Sequence, residues 1–221
     1  MPQEKLYPES GVELRGFTAR NYDALMNTLS MGKYGKFIQK AIHDLCIKPT
    51  DSIIDLGCGT GRNAGLMLPY LGELGKITGI DLSPIMGKQF VNRFKDEKRV
   101  SFLQERIDVP LHLDEKADIV FISFVIHGFP HEVRKAIIQN AKKHLKPGGT
   151  FAILDFAEFD MAKMPPFHRW VFKTFECPYA FDYIEKDWKE ILKKEGFEIT
   201  AENFYFMNYV RLLKVLNPET F

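Results

Sequence analysis

Two acids, a run of alternating glycines and one histidine carry most of the chemistry legible in this chain. Asp55 opens Asp55-Leu56-Gly57-Cys58-Gly59-Thr60-Gly61, directly after the apolar pair Ile53-Ile54, and Asp81 closes Lys76-Ile77-Thr78-Gly79-Ile80-Asp81. Glycine serves where a chain turns sharply and a ligand lies against its backbone. The first N–H groups of a helix that follows have no intrahelical partner and face that ligand. The dinucleotide fingerprint begins in the same way, but there the last glycine comes three residues after the second, and here it comes two. A carboxylate just before the turn repels a pyrophosphate and suits an ammonium group. Asp81 ends a second apolar run, where acids of doubly wound nucleoside sites accept hydrogen bonds from ribose hydroxyls. His127 ends a third run, 117–127, where an imidazole could take up a proton near neutral pH or simply close the turn through its own backbone.

These residues need strands to hold them. Ile53-Ile54 with Leu56 reads as a buried strand, and 63–71 as the helix after the glycine turn. Ser83-Pro84 opens the next helix as N-cap and first helical residue. Val100–Gln104 is a third strand, and the nearly unbroken apolar run from Ala117 is a central parallel strand buried on both faces. Val133, Ile137, Ala141 and Leu145 mark a helix, with Lys142, Lys143 and Lys146 toward its C-terminal end and His131 and His144 expected on the surface. Pro147-Gly148-Gly149 is expected to stop it before a fifth strand, 151–156. The stretch 157–183 is too long for an ordinary connection and is crowded with Met161, Met164, Phe167, Trp170, Phe172, Phe175, Tyr179, Phe181 and Tyr183. It reads as a lid over an apolar acceptor, with His168 and Arg169 as polar handles, or else as a cluster sealing the sheet edge. Trp188, Ile191 and Leu192 begin a last helix that Gly196 ends, and 197–199 and 209–215 form a closing hairpin.

The pair Asp55-to-Gly61 plus Gly79-Ile80-Asp81, with Leu145-Lys146-Pro147-Gly148-Gly149 before a strand, resembles the class I S-adenosylmethionine-dependent methyltransferases. That resemblance implies a Rossmann-like α/β fold: a seven-stranded, mostly parallel sheet with helices on both faces. S-adenosylmethionine would be the cofactor and S-adenosylhomocysteine the product. Gly57, Thr60 and Gly61 would hold the methionine part, Asp55 its ammonium and Asp81 the ribose, with Ser123 bordering the methionine end. Leu82, Met86 and Ile107 would wall the adenine. Arg106 stands where the family has an Asp or Asn for the adenine amino group, and guanidinium cannot accept; a shifted alignment gives that part to Asp108. Residues 20–32 are similar to the N-terminal cap of the ubiquinone and menaquinone C-methyltransferases, with Tyr22 closing over the cofactor or only packing. Ile122-Ser123-Phe124 also match that branch, and His127 replaces its usual Arg. The base- and amide-methylating branches carry Asn/Asp-Pro-Pro-Tyr/Phe at this place, a pattern absent here.

The 221 residues are expected to form one domain: an arm and helical cap (1–48), a cofactor core (49–156), the lid (157–183) and a C-terminal helix and hairpin (184–221). A formal net charge of +1 gives no overall field for nucleic acid. Cys46, Cys58 and Cys177 are isolated, which suggests neither a disulfide framework nor a metal site, and suits the cytoplasm. Cys58 is best explained by the need for a small side chain in the loop. No signal pattern is expected and no apolar run nears the roughly eighteen residues of a membrane span. The expected partner is a small methyl acceptor such as a quinol, methylated on carbon with His127 as candidate catalytic residue. A lipid quinol would bring peripheral membrane contact. The alternatives are another small acceptor (O, N, S or metalloid) or a protein that binds the cofactor without turnover.

Overall fold

The computed structural model describes Tyr7, Ser10 and residues 33–219. The cap residue Tyr22 and the first expected helix lie outside the described residues. The strands are β1 (Ser52–Leu56), β2 (Lys76–Ile80), β3 (Val100–Leu103), β4 (Ala117–Ser123), β5 (Leu145–Phe156), β6 (Glu198–Tyr205) and β7 (Val210–Leu216). They form one seven-stranded sheet in the order β3-β2-β1-β4-β5-β7-β6. Strands β1 to β5 run parallel, while β7 is antiparallel to both β5 and β6. The order therefore reverses between β1 and β4, and in open parallel sheets the crevice at such a reversal is where ligands bind.

Among the described residues seven α-helices pack around it: α1 (Lys33–His43), α2 (Arg62–Met67), α3 (Pro84–Arg93), α4 (His131–His144), α5 (Pro166–Phe175), α6 (Pro178–Ile184) and α7 (Trp188–Lys194). Because side chains alternate along a strand, neighbours feed opposite cores. Ile53, Ile77, Ile119, Phe121 and Leu154 pack with α1, α2 and α3 on one face. Ile54, Ile80, Val120, Ile122 and Ile153 pack with α4, α6 and α7 on the other. This double burial is why the runs in β1 and β4 are apolar without interruption.

Local signals act as their chemistry requires. The Ser83 side chain accepts from the N–H of Met86 at the start of α3, and Gly196, at φ 79°, follows α7. Two expectations change. Helix α4 stops at His144, ahead of Pro147, and Leu145 already pairs with Ala117 as the first residue of β5. His144 is buried rather than exposed, with Nδ1 2.9 Å from the carbonyl oxygen of Asn140. No helix among the described residues is long and apolar enough to cross a membrane.

The stretch after β5 folds into α5 and α6 and divides its apolar residues. Phe172, Ala180, Tyr183 and Ile184 belong to the core beneath. Phe167 and Trp170 face outward with 68% and 60% of their surface exposed. The inner half seals the sheet, and the outer half does not.

Candidate active site

Each glycine of the turn after β1 has positive φ: 71° at Gly57, 54° at Gly59 and 77° at Gly61. A Cβ at Gly57 would lie 2.7 Å from the Val125 side chain, and one at Gly61 2.6 Å from the Phe94 ring. Gly59 meets nothing within 4 Å, so the middle of the turn opens onto free space. The turn is pinned to β2, since the N–H groups of Gly57 and Cys58 both donate to the Ile80 carbonyl, at 2.8 and 3.1 Å. Thr60 is buried in it, as is Cys58.

Asp81 completes this cradle from the end of β2. Its Oδ2 accepts from the Gly59 N–H at 2.9 Å, and its Oδ1 from the Ser83 N–H at 2.8 Å. A carboxylate oxygen has two lone-pair sites, so the group retains capacity for hydroxyl donors. Asp55 is in a different state. It is 1% exposed, and neither carboxylate oxygen has a hydrogen-bond partner among the described residues. Burial, reinforced by the charge of Asp81, pushes its pKa up to about 7. An unpaired buried carboxylate is costly, and an ammonium group beside it would remove that cost. The open turn and the orphaned acid together fit the amino-acid end of S-adenosylmethionine.

The residues expected to wall the adenine differ in burial. Met86 and Ile107 are buried, and Leu82 is on the rim, 42% exposed. Asn140 of α4, which carries no signal in the sequence, donates from Nδ2 to the carbonyls of Ile107 and Val109 at 2.8 and 2.6 Å and so fixes the 107–109 loop. Arg106 is turned away from the part expected of its position. Its Nε and Nη2 hold the two Asp108 oxygens at 3.1 and 2.6 Å, and the Tyr7 hydroxyl donates to the same carboxylate at 2.6 Å. Arg106 and Asp108 thus neutralise each other. Burial and then the bond to Asp108 push the Tyr7 hydroxyl up to about 12.

At the C-terminal end of β4 the half-buried Ser123 is followed by Phe124, at φ 51°, whose N–H donates to Leu154 at 2.9 Å. This left-handed residue turns the chain into the short 3-10 turn Ile126–Gly128. His127 is buried there between two acids. Its Nδ1 lies 2.7 Å from Asp155 Oδ1 on β5, and its Nε2 3.6 Å from Glu176 Oε2 at the junction of α5 and α6. The His127 N–H also donates to Asp155 Oδ2 at 3.3 Å. Burial would lower the imidazole's pKa, but the two carboxylates outweigh it and the net shift is upward.

Arg134 locks this turn in place. Fully buried, it donates to the carbonyls of Ile126, His127 and Tyr179 at 3.3, 3.0 and 2.6 Å and to Asp182 at 2.6 Å. Its guanidinium also lies over the rings of Tyr183 and Trp188. Sequence patterns alone do not single out Asp155, Glu176 or Arg134. Asp155 alone carries a hint, as an acid at the end of an apolar strand. His168 rests edge-on against Tyr209.

Comparison with known proteins agrees with this geometry. A methyltransferase domain family matches residues 53–149. An uncharacterized methyltransferase of Synechocystis is 29% identical over 80% of this chain and 81% of its own length. A 2-phytyl-1,4-naphtoquinone methyltransferase of Trichormus variabilis is 26% identical, over 72% and 70%. The ubiquinone/menaquinone biosynthesis C-methyltransferase of Shewanella pealeana is 25% identical, over 84% and 71%. Among solved structures, a SAM-dependent methyltransferase from Aquifex aeolicus shares the fold at a TM-score of 0.60 and 19% identity, covering 81% of this chain and 88% of that one. The cradle at the ends of β1 and β2 and the sheet order define the class I, Rossmann-like methyltransferases. The matched domain and these relatives, quinone methyltransferases among them, support S-adenosylmethionine-dependent methyltransferase activity for this chain.

Proposed function

We propose that the enzyme methylates a small apolar or aromatic acceptor, such as a quinol, on carbon. The observation that carries this reading is the make-up of the acceptor end of the crevice. A cluster able to exchange a proton, Asp155–His127–Glu176, is set among aromatic rings. Phe156 stands 5.0 Å from the His127 ring, Tyr183 6.4 Å, and Phe124 and Phe172 flank Phe156 at 6.1 and 5.1 Å. Flat apolar walls suit a planar ring, and methylating a ring carbon requires that a proton be removed from it. The activities of the quinone methyltransferase relatives point the same way.

In this reading Asp55 meets the cofactor's ammonium, and Gly57, Thr60 and Gly61 carry its methionine part. Asp81 accepts from the ribose, Leu82, Met86 and Ile107 flank the adenine, and Ser123 borders the methionine end. The cofactor supplies a methyl group already activated on sulfonium. The protein's contribution is to align the acceptor, exclude water and take the proton. A lipid-borne acceptor would also give the exposed Phe167 and Trp170 a role at a membrane surface, beside Arg169 and Lys173 on a helix that carries no acid. The test is turnover of methyl-labelled S-adenosylmethionine with a panel of quinols, amines, thiols and metalloid oxyanions. Label in the ring carbon of a quinol supports the proposal, and label only in an amine, thiol or metalloid refutes it.

A further inference from the structure

Resting on that reading, we propose that Glu176, supplied by the insertion between β5 and α7, is the group that takes the proton from the methyl acceptor, and that His127 is a positioning residue behind it. Both nitrogens of the His127 ring already face carboxylates, so neither is left to meet a third group. Asp155 is closed as well. Its Oδ1 accepts from the Phe156 N–H at 2.8 Å besides facing the imidazole, its Oδ2 accepts from the His127 N–H, and its side chain is 1% exposed. The open end of the cluster is Glu176. Its side chain retains 25% exposure against 11% for His127, and its carboxylate receives no hydrogen bond from the described residues beyond the 3.6 Å approach of Nε2.

The surroundings hold this arrangement from every side. Arg134 on α4 grips the His127 carbonyl, and its charge is in turn taken by Asp182 on α6, which also pairs with Lys186. Tyr183 on α6 and Phe156 on β5 close the ring in, while Arg211 on β7 is occupied by Glu158 and Glu202. Held between Asp155 and Glu176, the imidazole keeps its proton to higher pH than a free one, which suits it to balance a carboxylate. Burial and the Asp155 charge raise Glu176 while the His127 charge pulls against that rise, and the net upward shift makes it a stronger proton acceptor than a free carboxylate. In the step itself an O–H or ring C–H bond of the acceptor breaks, and its electron pair stays on the acceptor. The proton joins a Glu176 oxygen and passes to water through the exposed edge after product leaves. The insertion thereby supplies chemistry as well as cover.

The experiment compares Glu176→Gln, Glu176→Asp and His127→Gln with the parent enzyme, using reduced demethylmenaquinone as probe acceptor and methyl-labelled S-adenosylmethionine. Glu176→Gln is expected to lower kcat by roughly 100- to 10,000-fold with S-adenosylhomocysteine affinity unchanged. Glu176→Asp should restore part of it, and His127→Gln should lose less while moving the pH profile of kcat. Nitrogen-15 NMR of the His127 ring gives a readout that needs no acceptor. The ring should keep its second proton to higher pH in the parent than in Glu176→Gln, where its pKa should fall. Parent-like kcat in Glu176→Gln together with loss in His127→Gln would overturn the assignment and make His127 the base. A His127 pKa left unmoved by Glu176→Gln would overturn it too. If the quinol is not methylated at all, the proposed acceptor fails, and the NMR titration still decides the place of Glu176.

Discussion

Replacing Asp55 with asparagine should reverse in effect according to whether the cofactor is bound. The carboxylate is buried, lacks a hydrogen-bond partner among the described residues and has its pKa pushed up to about 7 from 3.8. Below pH 4 the group is protonated in folded and unfolded chains alike. Between pH 4 and 7 the unfolded chain has released the proton and the folded chain still holds it. The free protein therefore loses stability as pH rises, by up to about 1.4 kcal/mol per pH unit and about 4 kcal/mol in all. The amide of an asparagine cannot ionise, so the Asp55→Asn variant should lack this slope and, relative to the parent, gain about 3 kcal/mol between pH 5 and 7. An ammonium beside the carboxylate cancels the penalty. Affinity for S-adenosylhomocysteine should then rise in the parent by up to about tenfold per pH unit between pH 5 and 7, and stay flat in the variant. Urea denaturation of both proteins at pH 5, 6 and 7, paired with calorimetry, measures the two slopes. Parallel stability curves, or an affinity whose pH dependence survives the substitution, would refute the assignment of Asp55 to the ammonium.

Four further outcomes follow from the same geometry. Asp81→Ala removes the acceptor for the Gly59 and Ser83 N–H groups as well as for the ribose, and should weaken S-adenosylhomocysteine binding by roughly 30- to 1000-fold in calorimetry, with Asp81→Asn losing less. Arg134→Ala strands three carbonyls and Asp182 and should cost about 3–5 kcal/mol in denaturant unfolding; lysine, lacking the planar fork, should not restore it. Phe167→Ala and Trp170→Ala should each change stability by less than about 1 kcal/mol, against about 3–5 for the buried Phe172→Ala. Trp188 is buried and Trp170 exposed, so a blue shift in tryptophan emission on adding anionic vesicles would report docking of α5, and no shift would argue against a membrane role.

Much of the cofactor half was legible because its requirements are local. Positive φ demands glycine at 57, 59 and 61, a strand end places Asp55 and Asp81, and Ser83-Pro84 starts a helix through bonds to its nearest neighbours. Such rules act within a few residues, and they survive in the sequence as spacing. The parallel sheet could be read for a related reason, since strands buried on both faces leave unbroken apolar runs. Arg106 is the exception: its position suggested adenine, but its charge found Asp108 two residues away.

The acceptor half was decided by tertiary structure. His127 could be picked out, but not its partners, because Asp155 arrives through the pairing of β4 with β5 and Glu176 through the folding back of α5 and α6. Nothing in the spacing of these residues records that they meet. The same holds for Arg134, whose partners at 126, 127, 179 and 182 come together only once α4 and α6 pack. An apolar residue's side of the insertion was likewise undecided, since Phe172 and Trp170 differ in their place around one helix and not in kind. Sequence determined what this chain can bind through its own local backbone. Long-range packing decided which acids surround the histidine, because a buried charge is defined by the neighbours that replace its water.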